Sequence, residues 1–310
     1  MTDKNEMPSH HGVEMSINRK YPNHTMKLLI ERASCRNFSK RKIPPKVLKL
    51  ILGAGIHAPT GGNLQPYSII KIEDPKIKRK LAKMCSQNFI GEAPVDLLFC
   101  IDWHRLERWA KIEVAPFTAT SSFRHFWISF QDTIICAQNI CTAADAMGLG
   151  SVYVGTIMEY FRELGRMFGL PKGVFPVVLL CLGYPNAKLI PRRKLGVEIV
   201  VHDERYHEIA DRKLRNAFNT KYPQKIEVTK ERLRRIFDVC KKAHGEGFAK
   251  RCIRKIKENR YIHPVQRYFG LHYDADGTPT GNDRFLKIME EYGFNWFKQF
   301  RGVGKKKAQE

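Results

Sequence analysis

Apolar residues recur along this chain with two different periods, and the switches between them mark out its elements. In residues 25–35 (TMKLLIERASC), Met26, Leu29, Ile30 and Ala33 share one helical face, and Thr25 is placed to cap it. Pro44 and Pro45 open a second helix, with Val47, Leu48, Ile51 and Leu52 turned inward. A Gly- and Pro-containing loop follows at 58–66, then a strand at 67–73, a basic helix (PKIKRKLAKMCS) and a continuous apolar strand at 95–102. Residues 103–124 fit neither period. Between Phe126 and Met147 two adjacent stripes, Ile134/Ala137/Cys141/Ala144 and Cys136/Ile140/Ala143/Met147, make an apolar arc wider than one core face needs. That helix is expected to be buried or packed on another subunit, and to end at Gly148 and Gly150. SVYVGTI reads as a strand, MEYFRELGRMFGL as a helix stopped near Pro171, and VFPVVLLCLGYP as another buried strand. Helices and strands alternating through residue 185 indicate an α+β or α/β core.

Beyond Arg205 the pattern turns helical and basic, with amphipathic runs VTKERLRRIFDVCKKAHG and EGFAKRCIRKIKENRY. The chain has 310 residues and a formal net charge of +23, and residues 205–310 hold 26 Lys/Arg against 13 Asp/Glu. This asymmetry predicts a C-terminal segment of separate character. The organisation read from the pattern is a loose leader (1–22), a core domain (23–206) and a basic, mainly helical extension (207–310) ending in GVGKKKAQE. No apolar run approaches the roughly 20 residues of a membrane helix, and residues 1–21 lack an apolar signal core. Several of the eight cysteines lie inside apolar runs and no CxxC occurs, which suits reduced thiols in a cytoplasmic protein.

Three segments suit an anionic, planar ligand. Arg32-Ala33-Ser34-Cys35-Arg36 brings two guanidinium forks and a hydroxyl together. The loop Ala58-Pro59-Thr60-Gly61-Gly62-Asn63-Leu64-Gln65-Pro66 combines close backbone approach with carboxamides that can read a heterocycle edge. Pro191-Arg192-Arg193-Lys194 adds phosphate-binding charge after the last core strand. In this order, with ERASCRNF, APTGGNLQPYS, FIGEAPVDLLFCID, AQNICTAADAMGLGSVYVGTI and GLPKGVFPVVLLCLGYP, they resemble the nitroreductase family of FMN-dependent oxidoreductases over residues 25–206.

The resemblance implies an α+β fold, a three-layer α/β/α sandwich whose mixed central sheet is flanked by helices. It implies a homodimer with FMN at the interface, so that one subunit's loop completes the other's site. Arg32, Ser34 and Arg36 would hold the phosphate and ribityl end, with Arg193 or Arg192 closing on the phosphate. Pro59, Thr60, Gly61, Asn63 and Gln65 would line the ring, and Gly155 and Thr156 would present backbone to it. NADH or NADPH would reduce the flavin, and a nitro, quinone or similar small conjugated acceptor would reoxidise it by a ping-pong route. The flavin carries that chemistry, so no catalytic side chain is expected. Phe117, Phe123 and Phe126 are candidates for a substrate-side lid.

Two other functions are compatible with these residues: a flavin-dependent dehydrogenase or reductive dehalogenase of a specific metabolite, and a flavin-binding regulatory module whose tail engages nucleic acid or an acidic partner. The tail's aromatics (Tyr261, Tyr268, Phe269, Phe294, Trp296, Phe297) favour packing over base stacking, since no nucleic-acid motif accompanies them. Gly53-Ala54-Gly55-Ile56-His57-Ala58 matches GxGxxA but ends a helix-like run, where a dinucleotide fingerprint needs a strand before and a helix after. Asp274-Ala275-Asp276-Gly277 lacks the acidic twelfth residue of a calcium loop and reads as a turn. His10-His11 lacks metal partners, and the Cys240/Cys252 spacing does not fit an iron–sulfur cluster, so no resident metal is expected.

Overall fold

The computed structural model describes residues 21–300. All but the last two residues of the expected leader, with His10-His11, and the basic end GVGKKKAQE lie outside them. By internal packing the chain divides into two compact units that meet in sequence between Pro191 and Arg192. This division precedes the change of pattern at residue 206.

The first unit is built on strands β1 (Tyr67–Ile72), β2 (Val95–Asp102), β3 (Gly150–Val154) and β4 (Val174–Gly183), in the order β1-β2-β4-β3. All three pairings are antiparallel, with a bulge between Phe99 and Cys100. The four strands thus form an antiparallel sheet where a mixed one was expected, and Ser34 makes an isolated parallel bridge to Ser151 beside the β3 edge. Around the sheet lie α1 (His24–Glu31), α2 (Pro45–Ile56), α3 (Pro75–Cys85), α4 (Phe89–Glu92), α5 (His104–Ile112), α6 (Phe123–Ala146) and α7 (Phe161–Phe168).

The period-2 alternation of the strands decides which side chains reach which layer. Leu98, Cys100, Leu179 and Cys181 pack with Leu81 and Cys85 of α3 and Leu164 of α7. Leu97, Phe99, Leu180 and Leu182 face the other way, onto Leu48 and Ile51 of α2 and Cys136, Ala137, Ile140, Cys141 and Ala144 of α6. The result is the three-layer α/β/α arrangement. β2 is buried at every position, its two aspartates included, as a strand covered on both faces is.

Several boundaries differ from the pattern reading. α1 is capped by Asn23, whose Oδ1 accepts from the Met26 N–H at 2.9 Å, and not by Thr25, which lies inside the first turn. Its expected inward residues Met26, Leu29 and Ile30 are exposed within this chain. The stretch 103–124 contains α5 and a short 3-10 turn, Ala119–Ser121. α6 begins at Phe123 because Ser122 caps it. Gly148, at φ 73°, ends α6, whereas Gly150 is the first residue of β3. The helix expected to run to Pro171 stops at Phe168, where Gly169 turns left-handed at φ 60°.

The second unit contains α8 (Val197–Val200), α9 (Asp211–Lys221), α10 (Lys230–His244), α11 (Glu246–Asn259), α12 (Pro264–Arg267) and α13 (Asn282–Glu291). Isoleucines build its core: Ile236 of α10, Ile256 of α11 and Ile262. Of the tail aromatics, Phe294 is fully buried and Phe269 is exposed. Asp274 pairs with Arg235 at 2.7 Å and Asp276 with Lys242 at 3.4 Å, so the Asp-Ala-Asp-Gly run is a turn closed by cations. Among the described residues no helix is long and apolar enough to cross a membrane.

Candidate functional site

After α1 the chain extends along the β3 edge. The Cys35 N–H donates to the Ser151 carbonyl at 2.9 Å, which sets the strand-like geometry that exposes Ser34 and Arg36 between buried Ala33, Cys35 and Phe38. Arg32 is tied down: its Nη2 donates to Ser151 Oγ at 3.2 Å, and its Nε lies 3.7 Å from Asp145 Oδ2 near the end of α6. Burial pushes the Asp145 carboxyl up to about 6, with Arg32 opposing the shift. The Ser34 and Arg36 side chains are exposed.

The loop after α2 stands in strained backbone. Gly62, Asn63 and Gln65 have φ of 61°, 55° and 47°, left-handed values that non-glycine residues adopt only when their surroundings hold them. The hold comes from three sides. The Gly61 N–H donates to both carboxylate oxygens of Asp132 on α6, at 3.2 and 3.1 Å. A Cβ at Gly61 would stand 2.7 Å from Ile128 Cγ2, so glycine lets the loop reach the helix. The Gln65 N–H donates to Thr60 Oγ1 at 3.2 Å, and the Gln65 carboxamide donates to the Ile56 carbonyl at 2.9 Å. Arg105 of α5 donates to the carbonyls of Gln65 and Tyr67 at 2.7 and 2.9 Å. Thr60 and Gln65 therefore spend their polar groups on the loop itself. Asn63 keeps an exposed carboxamide.

Burial raises the Asp132 pKa, and the Gly61 N–H works against that rise. Asp132→Ala is expected to lower stability by about 1–3 kcal/mol, because the loop amide loses its acceptor, and to loosen the loop. Asp132→Asn should recover part of that loss through its carbonyl oxygen. Denaturant melts of the three proteins, with proteolysis to report cleavage at 60–65, check both statements.

Gly155 is exposed, and a Cβ there would meet no atom within 4 Å, so its backbone faces open space. Thr156 Oγ1 accepts from Gln87 Nε2 at 2.9 Å. The three lid candidates separate. Phe123 and Phe126 lie in the first turn of α6, Phe123 beside Trp127 and Phe126 against Phe175. Phe117 packs on Trp103 at 5.9 Å and, with Leu64 of the loop and Trp109, lines a cavity of about 210 Å³. Arg192 and Arg193 belong to the second unit, where Arg193 Nη1 donates to the Thr220 carbonyl at 3.1 Å.

α6 spaces the two main clusters. The loop is tied to Asp132 and Arg32 to Asp145, thirteen residues further along, or roughly 20 Å at about 1.5 Å per residue. Asp132, Asp145, Ser151 and Arg105 were not singled out from sequence. The one local signal was an isolated acidic residue, Asp132, in the apolar run FWISFQDTIICAQ.

A model of the nitroreductase family matches residues 29–184, half of the chain. The chain belongs to the nitroreductase family. The match takes in every candidate from Arg32 to Thr156 and stops short of Arg192. This nitroreductase-family chain is 30% identical over 193 residues to the oxygen-insensitive NADPH nitroreductase of Salmonella typhimurium, covering 61% of this chain and 78% of that protein. The NADPH:FMN oxidoreductase from Vibrio harveyi, solved in complex with NAD+, superposes with a TM-score of 0.60 at 28% identity, over 65% of this chain and 87% of that one. The hypothetical oxidoreductase YcnD from Bacillus subtilis shares the fold (TM-score 0.67, 23% identity) over 88% of this chain and 98% of its own. The likeness in fold therefore extends into the second unit.

Proposed function

We infer that this nitroreductase-family chain is an NAD(P)H-dependent FMN oxidoreductase. It acts as a homodimer, and the reduced nicotinamide and a nitro, quinone or similar conjugated acceptor use the site in turn. Bound FMN supplies reversible two-electron chemistry. The residues present fit that group. Arg36 and Ser34 are exposed donors beside anchored Arg32, a set suited to a phosphate. The Asn63 carboxamide suits the polar edge of a planar heterocycle, Pro59 and Gly61 stand in the same exposed loop, and the open space at Gly155 leaves room for a ring against backbone.

The observation that carries the reading is the separation of these donors along α6. Within one chain the loop and the arginines are tied to points roughly 20 Å apart, too far to grip one phosphate-to-ring edge closely. A two-fold partner brings one chain's loop to the other's arginines. Exposed Leu29 and Ile30 on α1, and Trp127, Phe130 and Ile135 on α6, offer the apolar surface such a dimer would bury. Anchored by Asp132 and Arg105, the loop holds Asn63 in place without spending binding energy on ordering it.

The purified protein is expected to be yellow, dimeric by sedimentation, and bleached by NADH or NADPH without oxygen. Arg36→Ala should raise the FMN Kd about 10- to 100-fold, the loss of one charge-assisted phosphate bond of about 1.5–3 kcal/mol. Arg193→Ala in the same assay tests the expectation that Arg193 adds to phosphate binding. An Arg36→Ala/Asn63→Ala protein that retains FMN through dialysis as the unaltered protein does would sink this assignment.

A further inference from the structure

α10 carries Ile236 and Cys240 one turn apart, and α11 carries Cys252 and Ile256 in the same relation. Burying the isoleucines against one another brings both thiols to the α10–α11 seam. There Cys240 and Cys252 line one cavity of about 400 Å³ together with Ile236, Phe248 and Phe269. The Gln266 carboxamide approaches Cys252 Sγ at 3.8 Å. Both residues are half-buried, whereas the other six cysteines are buried.

We propose that Cys240 and Cys252 form a two-sulfur binding site for a soft monovalent cation of the Cu(I) class. Thiolate sulfur selects soft ions over magnesium or calcium. Among the described residues no group of three His, Cys, Asp or Glu side chains could hold a metal, which leaves tetrahedral zinc without its ligands. Two sulfurs suffice for a closed-shell monovalent ion that accepts linear coordination. Binding is M⁺ + 2 RSH → M(SR)₂⁻ + 2 H⁺. It changes no oxidation state and needs no oxidant.

The test is an anaerobic titration of the reduced, full-length protein with Cu(I) against the chromophoric chelator bicinchoninate. One Cu(I) per chain is expected by native mass spectrometry, with two protons released and loss of two thiols reactive towards a disulfide reagent. Cys252→Ser should weaken Cu(I) binding about a hundredfold or more, with thermal midpoint and helix content unchanged as the control for folding. Uptake that persists in Cys240→Ser/Cys252→Ser overturns the proposal. So does a reduced protein that surrenders all its Cu(I) to the chelator, or one that forms a Cys240–Cys252 disulfide with peroxide yet takes up no cation.

Discussion

Asp96→Asn is expected to remove a pH dependence of stability worth up to about 4 kcal/mol between pH 4 and 7. Asp96 is fully buried near the start of β2, with the Cys181 thiol the polar group set against its carboxylate. Burial pushes its pKa up to about 7. Cys181, its register partner on β4, and Lys78 favour the charged form but do not match that effect. The Lys78 ammonium is itself spent on the carbonyls of Ala93 and Pro94. The folded state therefore keeps a proton that the unfolded chain releases near pH 4. As pH rises from about 4 to 7 the native state loses about 1.4 kcal/mol per unit relative to the unfolded one, and above 7 the loss is complete and constant.

An asparagine cannot ionise, so the stability difference between variant and unaltered protein should grow in the variant's favour over that range. A buried amide with too few partners carries its own penalty of about 1–3 kcal/mol at every pH, which sets the offset and leaves the slope untouched. Guanidinium melts at pH 4, 5.5, 7 and 8 measure it. A difference that does not vary with pH would contradict the assignment.

Gly150→Ala should both destabilise the protein and weaken its hold on FMN. The added methyl would stand 2.5 Å from Cys35 Cβ and 3.1 Å from its Sγ, with Leu189 Cδ1 at 3.3 Å. A Cβ is fixed to its backbone, so relief requires the 34–36 segment to leave the β3 edge. That motion lengthens the Cys35 N–H to Ser151 carbonyl bond and disturbs the Arg32 anchor on Ser151. Overpacking of this kind costs about 1–3 kcal/mol. A tenfold rise in FMN Kd, about 1.4 kcal/mol, is expected from the displaced arginines. Gly148→Ala separates the effects. Its φ is 73°, yet no atom lies within 4 Å of the new Cβ, so it should lose about 1 kcal/mol through backbone strain alone and leave FMN binding unchanged.

These two residues show where sequence reading stops. Asp96 is the second residue of VDLLFCID, and the largely apolar run announced a buried strand correctly while giving no hint of what an acid within it would face. Gly150 looked like a helix terminator because glycines follow apolar helices. Its real constraint, Cys35, lies 115 residues earlier in the chain.

Strand runs, the proline that opens α2, the long α6 and the two basic helices α10 and α11 were legible because each depends on residues within a turn or a pleat of one another. The order of the candidate segments was legible too, and with it the family. Folding alone decided which donors remain free for a ligand. Thr60 and Gln65 are consumed by the loop and Arg32 is half-committed to Asp145 and Ser151, while Ser34, Arg36 and Asn63 stay exposed. Hydrogen bonds that join residues 71 or 119 positions apart leave no periodic trace in a sequence. They arise when layers close on one another, and local composition does not encode that closure.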